Sequence, residues 1–403
     1  MQSLIIDMEP LKILNENHAC TGCGACVSAC PRQALTLEYN EEGFYYPMCN
    51  KEKCISCRIC EKVCHVLGAP ISGTVDRNYT PFMIKAKSAR IVDESSSGGV
   101  FTMLSEWVLK QRGVVYGARY NYNEEKLEHC STEKCALSEL RKSKYIESYM
   151  GDTYVKVLKD LKAEKPVLFC GTPCQVKGLK TFLDFKKVNQ EKLLLVRFIC
   201  HGVPSNKFFT EYKHFEERRY GGKVVYLDFR PKNRGWRTSN LLLKFSNGKV
   251  LDQLHLCNCY YYYYYYQHNY LLRKCCYNCM QLCDTCGDFT IADFWGIHFY
   301  QPTNPENRGL SLVLAHSEKS LKIIPELHEE CMMETLPQTA VDYIYKDIDW
   351  KRSCSQYRDD MMNRVLKDGY MKTVLKQVGI QVIMNRIKNY LVDTRLWRII
   401  KRK

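Results

Sequence analysis

Two cysteine quartets with one spacing constrain this chain more than any other feature. Cys20, Cys23, Cys26 and Cys30 follow C-x2-C-x2-C-x3-C, and Pro31 closes the run. Cys54, Cys57, Cys60 and Cys64 repeat the spacing, each 34 positions after its counterpart. A [4Fe–4S] cube needs four thiolates converging on its corners. The triple wraps one loop around three of them, and in two-cluster arrangements the fourth comes from the other run. The spacing therefore assigns Cys20, Cys23, Cys26 and Cys64 to one cluster, and Cys54, Cys57, Cys60 and Cys30 to the other. Gly22 and Gly24 let the first loop approach its cube closely. His65 stands where the second run would repeat the proline, a change expected to alter the turn more than the ligation.

Zinc and disulfides are the competing readings. Zinc sites pair C-x2-C units across a longer gap. Disulfide frameworks belong to short secreted chains, whereas this one has 403 residues and no basic, apolar leader in residues 1–10. Cys49 falls outside the spacing and reads as a spare thiol. No run approaches the ~20 apolar residues of a membrane-spanning helix. A reduced, cytoplasmic setting is expected.

Net charge is +15, unevenly spread: residues 1–68 carry 6 basic and 8 acidic side chains, so the rest is strongly basic. Such a body suits an anionic cofactor, an acidic redox partner or a lipid surface. No nucleic-acid module is recognisable, and nucleic acid is not expected.

Composition and punctuation divide the chain. Residues 1–68 form the two-cluster module, 69–81 a linker, 82–155 and 156–335 two stretches of the main body, and 336–403 a helical, basic end. The expected fold is an α+β ferredoxin-like two-cluster module followed by an α/β domain with a mixed, partly parallel sheet. Helical periodicity covers 100–109, with Gly113 as C-cap, and 113–117 reads as a strand ended by glycine. Strand 167–169, the loop 170–174, a helix from Gln175 to about Phe185 and strand 193–199 make a β–α–β unit, so its strands should run parallel. The loops carrying Cys170, Cys174 and Cys200 then lie at the carboxyl edge of the sheet, where open α/β sheets place ligands. Further strands are expected at 224–229, 241–245, 289–292 and 310–315.

Several motifs in order resemble one family. They are Ser95-Ser96-Ser97-Gly98-Gly99-Val100, Lys144-Tyr145-x2-Ser148, Gly171-Thr172-Pro173-Cys174-Gln175, Ile199-Cys200-His201-Gly202, Phe229-Arg230 through Gly235-Trp236, and Cys276-x2-Cys279 followed by residues 288–296. Over residues 82–335 the chain resembles the coenzyme F420 hydrogenase/dehydrogenase beta-subunit family, with the ferredoxin module fused in front. The resemblance implies an iron–sulfur oxidoreductase containing flavin, usually FAD, that passes electrons between clusters and an organic substrate or hydride cofactor. Proteins that look like this one, with the same fusion, are associated with surface-polysaccharide genes. The alternative is a non-catalytic electron-transfer subunit feeding a partner enzyme. Glu147 departs from the glutamine of many relatives, and Cys283-x2-Cys286 departs from the pattern near its strand.

A third [4Fe–4S] cluster on Cys174, Cys200, Cys276 and Cys279 follows from convergence, since sheet-edge loops can present thiolates to one point. Cys275, Cys283 and Cys286 compete as ligands, and zinc on Cys276, Cys279, Cys283 and Cys286 is an open alternative. For the flavin, no G-x-G-x-x-G follows a strand. Ser96, Ser97, Gly98 and Gly99 precede a helix and can cap it or hold a pyrophosphate. Lys144 and Tyr145 complete the cofactor-binding expectation, Lys144 as countercharge to a phosphate or a reduced flavin. His201 follows an expected ligand and can tune a cluster, relay protons or simply be a satisfied loop residue. No catalytic acid or base is identifiable. Seven tyrosines at 260–266 read as core and surface aromatics rather than an electron wire. Residues 380–403, with Ile380, Ile383, Ile387 and Leu391 on one stripe, fit a basic amphipathic helix for peripheral membrane contact or for protein docking.

Overall fold

The structure, a computed structural model, describes residues 8–10, 19–67, 78–238, 240–253, 259–262, 268–279, 286–301, 306–377 and 384. Three sheets organise it. In the N-terminal module β1 (Met8–Pro10), β2 (Leu35–Tyr39) and β3 (Tyr45–Asn50) pair antiparallel in the order β1-β3-β2. Each cysteine triple runs into a short helix, Ala25–Ala29 and Ile59–Lys62.

The body is an eight-stranded mixed sheet of β4 (Thr80–Ala86), β5 (Val114–Asn121), β6 (Lys126–Ser131), β7 (Val167–Gly171), β8 (Leu193–Phe198), β12 (Phe289–Asp293), β13 (Ser311–Ala315) and β14 (Cys331–Thr335). Its order is β14-β4-β13-β12-β8-β7-β5-β6. A separate antiparallel sheet joins β9 (Val224–Asp228), β10 (Leu241–Phe245) and β11 (Val250–Gln253). Within the large sheet β5, β7, β8 and β12 run parallel, and the flanking strands are antiparallel. The parallel strands are nearly continuous apolar runs, with Val115, Val167, Leu168, Phe169 and Val196 fully buried. That pattern fits strands covered on both faces.

The β–α–β unit forms around the helix Pro173–Phe185. Thr172 caps it by accepting from the Gln175 amide, the Gln175 side chain returns a bond to the Thr172 amide, and proline occupies the first turn. This reciprocal cap fixes the start of the helix and puts Cys174 in its first turn.

Three expectations are corrected. The strand expected to end at Gly117 continues to Asn121; Gly117 instead leaves room beside Phe101 and Leu140. Gly113 is not the left-handed cap of its helix, because Arg112 takes that conformation (φ 58°). Gly113 is needed for space, since a Cβ there would stand 2.5 Å from Pro166 O. Thr80 and Pro81, placed in the linker, open strand β4, which pairs with both β13 and β14.

No described helix is long and apolar enough to cross a membrane. The amphipathic stretch at 380–403 lies outside the described residues apart from Met384. Tyr260–Tyr262 is a short helix. Tyr260 and Tyr261 are buried, and Tyr261 packs on Phe208, Phe209 and Tyr212, so these two tyrosines are core. Residues 263–266 lie outside the described residues.

Candidate functional site

The two N-terminal triples have the same backbone geometry. Gly22 and Gly24 take positive φ (70° and 79°), and their counterparts Ser56 and Arg58 do the same (52° and 57°). In the first loop this turns amides toward sulfur: the backbone at Gly22 hydrogen-bonds Cys20, and that at Ala25 hydrogen-bonds Cys23. The Ala34 amide donates to Cys30 Sγ at 3.3 Å. Amides aimed at sulfur favour thiolates, the form a cluster needs.

Cys20, Cys23, Cys26 and Cys64 lie within electrostatic reach of one another. They line a cavity of about 40 Å³ together with Cys60 and His65. Burial pushes the Cys23 thiol up to about 12. Burial also raises Cys20 and Cys26, and gathered thiols of this kind fit a cationic iron core, which favours their thiolate form. Thr21 Oγ1 meets His65 Nε2 at 3.2 Å, so the histidine in the proline's place ties the two runs together. The second quartet differs in setting: Cys54 and Cys57 are exposed, Cys30 and Cys60 half-buried. Cys49, outside the spacing, is buried against Cys54, with Cys60 and Cys30 nearby, and burial lifts its thiol to about 11.

The first quartet faces the body. Gly178 lies so close that a Cβ there would stand 2.8 Å from Cys23 Sγ. Across this contact Cys174 is within electrostatic reach of Cys23, Cys200 and Cys279. Cys276 stands against Gly202, where an added Cβ would come within 3.2 Å of the Cys276 Cβ, and Cys275 hydrogen-bonds Cys276. Cys286 packs instead on the apolar core that includes Val176 and Leu195. Cys283 lies outside the described residues.

Glu147 has a role its position in the sequence did not suggest. It is not at the cavity wall but accepts from the Tyr45 amide at 3.1 Å and ion-pairs with Arg273, both side chains buried. Arg273 also donates to the carbonyls of Cys20 (3.3 Å) and Tyr45 (2.8 Å) and stacks on Phe44 and Tyr46. This pair clamps the cluster module to the body. Burial raises the Glu147 carboxyl, and Arg273 opposes that shift.

A cavity of about 310 Å³ opens at the carboxyl ends of the parallel strands, in the size range of ligand sites. Ser96, Ser97, Gly99, Lys144 and Tyr145 line it, as do Cys170, Cys200, His201, Arg230 and Trp295. Gly98 does not: its amide donates to Ser311 Oγ at 2.9 Å, and a Cβ would stand 2.4 Å from Ile84 O. The floor is a hydrogen-bonded chain. Gln175 Nε2 donates to Ser148 Oγ (2.9 Å), so the Ser148 hydroxyl donates to His129 Nδ1 (2.9 Å), leaving Nε2–H for the Cys170 carbonyl (3.1 Å). Burial holds the His129 imidazole near 4, so it stays neutral.

Burial brings Lys144 down to about 8 and Lys232 to about 7. Lys232 holds the serine loop by donating to the carbonyls of Val92 and Ser97. Arg230 pairs with Asp293 at 3.1 Å and lies over the Trp295 ring. His201 Nε2 meets Asn269 Oδ1 at 2.5 Å. His129, Gln175 and Lys232 were missed in the sequence as site residues; only Gln175, inside the Gly-Thr-Pro-Cys-Gln motif, carried a signal.

Two cysteine quartets of this spacing beside an α/β sheet define an iron–sulfur protein of the electron-transfer oxidoreductase type. Residues 164–340 match the family described as the C terminus of the coenzyme F420 hydrogenase/dehydrogenase beta subunit, and residues 19–67 match the 4Fe-4S dicluster domain. Among solved structures, a similar chain comes from the xenon-derivatised F420-reducing [NiFe] hydrogenase complex of Methanosarcina barkeri. It is 16% identical, with 73% of this chain and 94% of that chain covered and a TM-score of 0.47. No curated protein sequence matches the chain.

Proposed function

We propose that the chain is an iron–sulfur flavoprotein oxidoreductase, exchanging electrons between its N-terminal clusters and an organic substrate or hydride cofactor in the cavity. When bound, the clusters supply one-electron transfer, and a flavin, FAD in this reading, converts between one-electron and hydride chemistry. One observation carries the proposal: Cys174 is within electrostatic reach of Cys23 on one side and Cys200 on the other, and Cys200 lines the cavity. A continuous series of thiols thus leads from the first quartet to the ligand space.

In this reading Cys174, Cys200, Cys276 and Cys279 hold a third [4Fe–4S] cluster. Lys144, near 8, keeps its proton at neutral pH and offers a positive charge to an anion in the cavity. Ser96, Ser97, Gly99 and Tyr145 shape the flavin site, and Gly98 sets the loop against β4. A redox protein would meet the second quartet, whose Cys54 and Cys57 are exposed. A cytoplasmic location, peripheral membrane contact through residues 380–403 and a role in surface-polysaccharide biosynthesis are further parts of the proposal, the last resting on resemblance alone.

The test is flavin content of anaerobically purified protein. Stoichiometric flavin, reduced when the clusters are reduced, is expected. Protein that retains no flavin and binds none on addition overturns the enzyme reading and leaves a carrier feeding a partner enzyme, which the exposed second quartet also suits.

A further inference from the structure

We propose that Cys49 is a fifth thiol of the second cluster, a buried reserve ligand that takes the iron corner of Cys54 when Cys54 leaves it. The inference rests on the N-terminal clusters of the reading above and not on the flavin.

Strand β3 serves both quartets from one face, because side chains two positions apart point the same way. Pro47 lines the cavity of the first quartet, and Cys49, two positions on, reaches the second. In the β2–β3 register Cys49 lies opposite Leu35, and the Asn50 amide donates to the Ala34 carbonyl at 2.8 Å. The Ala34 amide in turn donates to Cys30 Sγ. Cys49 is thereby set beside the ligand that the first run contributes to this cluster. Asn50 then bends the chain back. Its Oδ1 accepts from the amides of Glu52 (3.0 Å) and Lys53 (3.2 Å), and its carbonyl accepts from the Cys54 amide (3.1 Å). This turn returns Cys54 to Cys49, and the two thiols hydrogen-bond, with Cys60 and Cys30 within electrostatic reach.

A buried thiol is ordinarily a small apolar core residue. Cys49 is buried but joins none of the four large apolar clusters of the described residues. Its surroundings are instead three of the four ligands assigned to the second cluster. Exposure differs in a way that gives a reserve its use. Cys54 is exposed, so solvent reagents reach its sulfur first, while the thiol beside it is shielded. The exchange needs no electrons and no co-reactant. Cys49 gives up its S–H proton as its sulfur bonds iron, the bond from iron to the Cys54 sulfur breaks, and the departing thiolate takes up a proton. The cluster keeps four thiolates and its charge.

The experiment counts iron and acid-labile sulfide on anaerobically reconstituted, full-length wild type, Cys49→Ala, Cys54→Ala, the Cys49→Ala/Cys54→Ala double variant and Cys57→Ala. Cys49→Ala should keep wild-type iron, which also shows that this truncation does not block assembly. Cys54→Ala should keep wild-type iron too, with an altered EPR signal from the reduced second cluster, because one corner has a new ligand. The double variant should hold about four irons fewer, as Cys57→Ala should. Equal loss from Cys54→Ala and the double variant, whether of the whole cluster or of one corner iron, would overturn the reserve role. So would equal retention by both, since another group would then hold the corner. Loss from Cys49→Ala alone would make Cys49 a constant part of the site and overturn the inference as well. In each of these cases an iron-replete wild type leaves the clusters standing, whereas a wild type without iron removes the clusters and the inference together.

Discussion

The two cysteine loops share spacing and backbone shape but differ in surroundings, and the difference separates what ligation requires from what docking requires. Both loops need left-handed residues at their second and fourth turn positions. In the second loop these are Ser56 and Arg58, both exposed, with side chains that can extend outward. In the first loop they are Gly22 and Gly24. At Gly22 a Cβ would stand 2.7 Å from both Arg273 Nη2 and Glu147 Oε1 and 2.9 Å from Tyr45 O. Gly22 is thus demanded by the clamp that presses on it, since ordinary side chains tolerate the backbone angle in the other copy. The first quartet is the inner one, against the body, and the second is the outer one, against solvent.

The largest effect should come from removing one ligand in each quartet. Cys23→Ala and Cys57→Ala should each lose about four irons per chain. With a small-molecule reductant such as dithionite, which does not need the outer quartet as a docking point, only Cys23→Ala should also stop reduction of acceptors in the body, measured by anaerobic stopped-flow absorbance. Equal impairment by the two variants would break the inner–outer distinction. Next comes the clamp. Glu147→Gln leaves Arg273 charged and buried without its partner, at a cost of about 3–5 kcal/mol, measured by chemical denaturation. A cost below about 1 kcal/mol would show that the module is held by other contacts.

Gly178→Ala should push Cys23 away from the body at a cost of about 1–3 kcal/mol, the scale of overpacking. Iron content should stay constant while electron transfer to the body slows. The smallest effect is the reciprocal glycine exchange. Ser56→Gly should leave stability within about 1 kcal/mol, relief of the left-handed strain offsetting the added backbone freedom. Gly22→Ser should be clearly destabilising, and melting curves of the pair decide it.

Much of the fold was legible where sequence and packing obey one rule. The parallel strands β7 and β8 are apolar runs, interrupted only by Arg197 in β8, flanking a helix with a reciprocal cap, so the strand–helix–strand alternation showed in the residues. Strand β14, with Met332 and Glu334 among its five residues, is amphipathic and short, and its partner β4 lies some 250 positions away in the chain, so it carried no local signal. The two-cluster module was legible because a triple of cysteines at this spacing has few other uses.

Glu147 was visible only as an oddity, because its partner Arg273 is 126 positions away.

Iron, acid-labile sulfide and zinc, quantified on one anaerobically purified sample, test the central claim most directly. The account predicts about eight irons and eight sulfides per chain from the two N-terminal quartets, or about twelve of each with the third site filled, and little zinc. A colourless, iron-poor protein with stoichiometric zinc, still without iron after reconstitution, would contradict it.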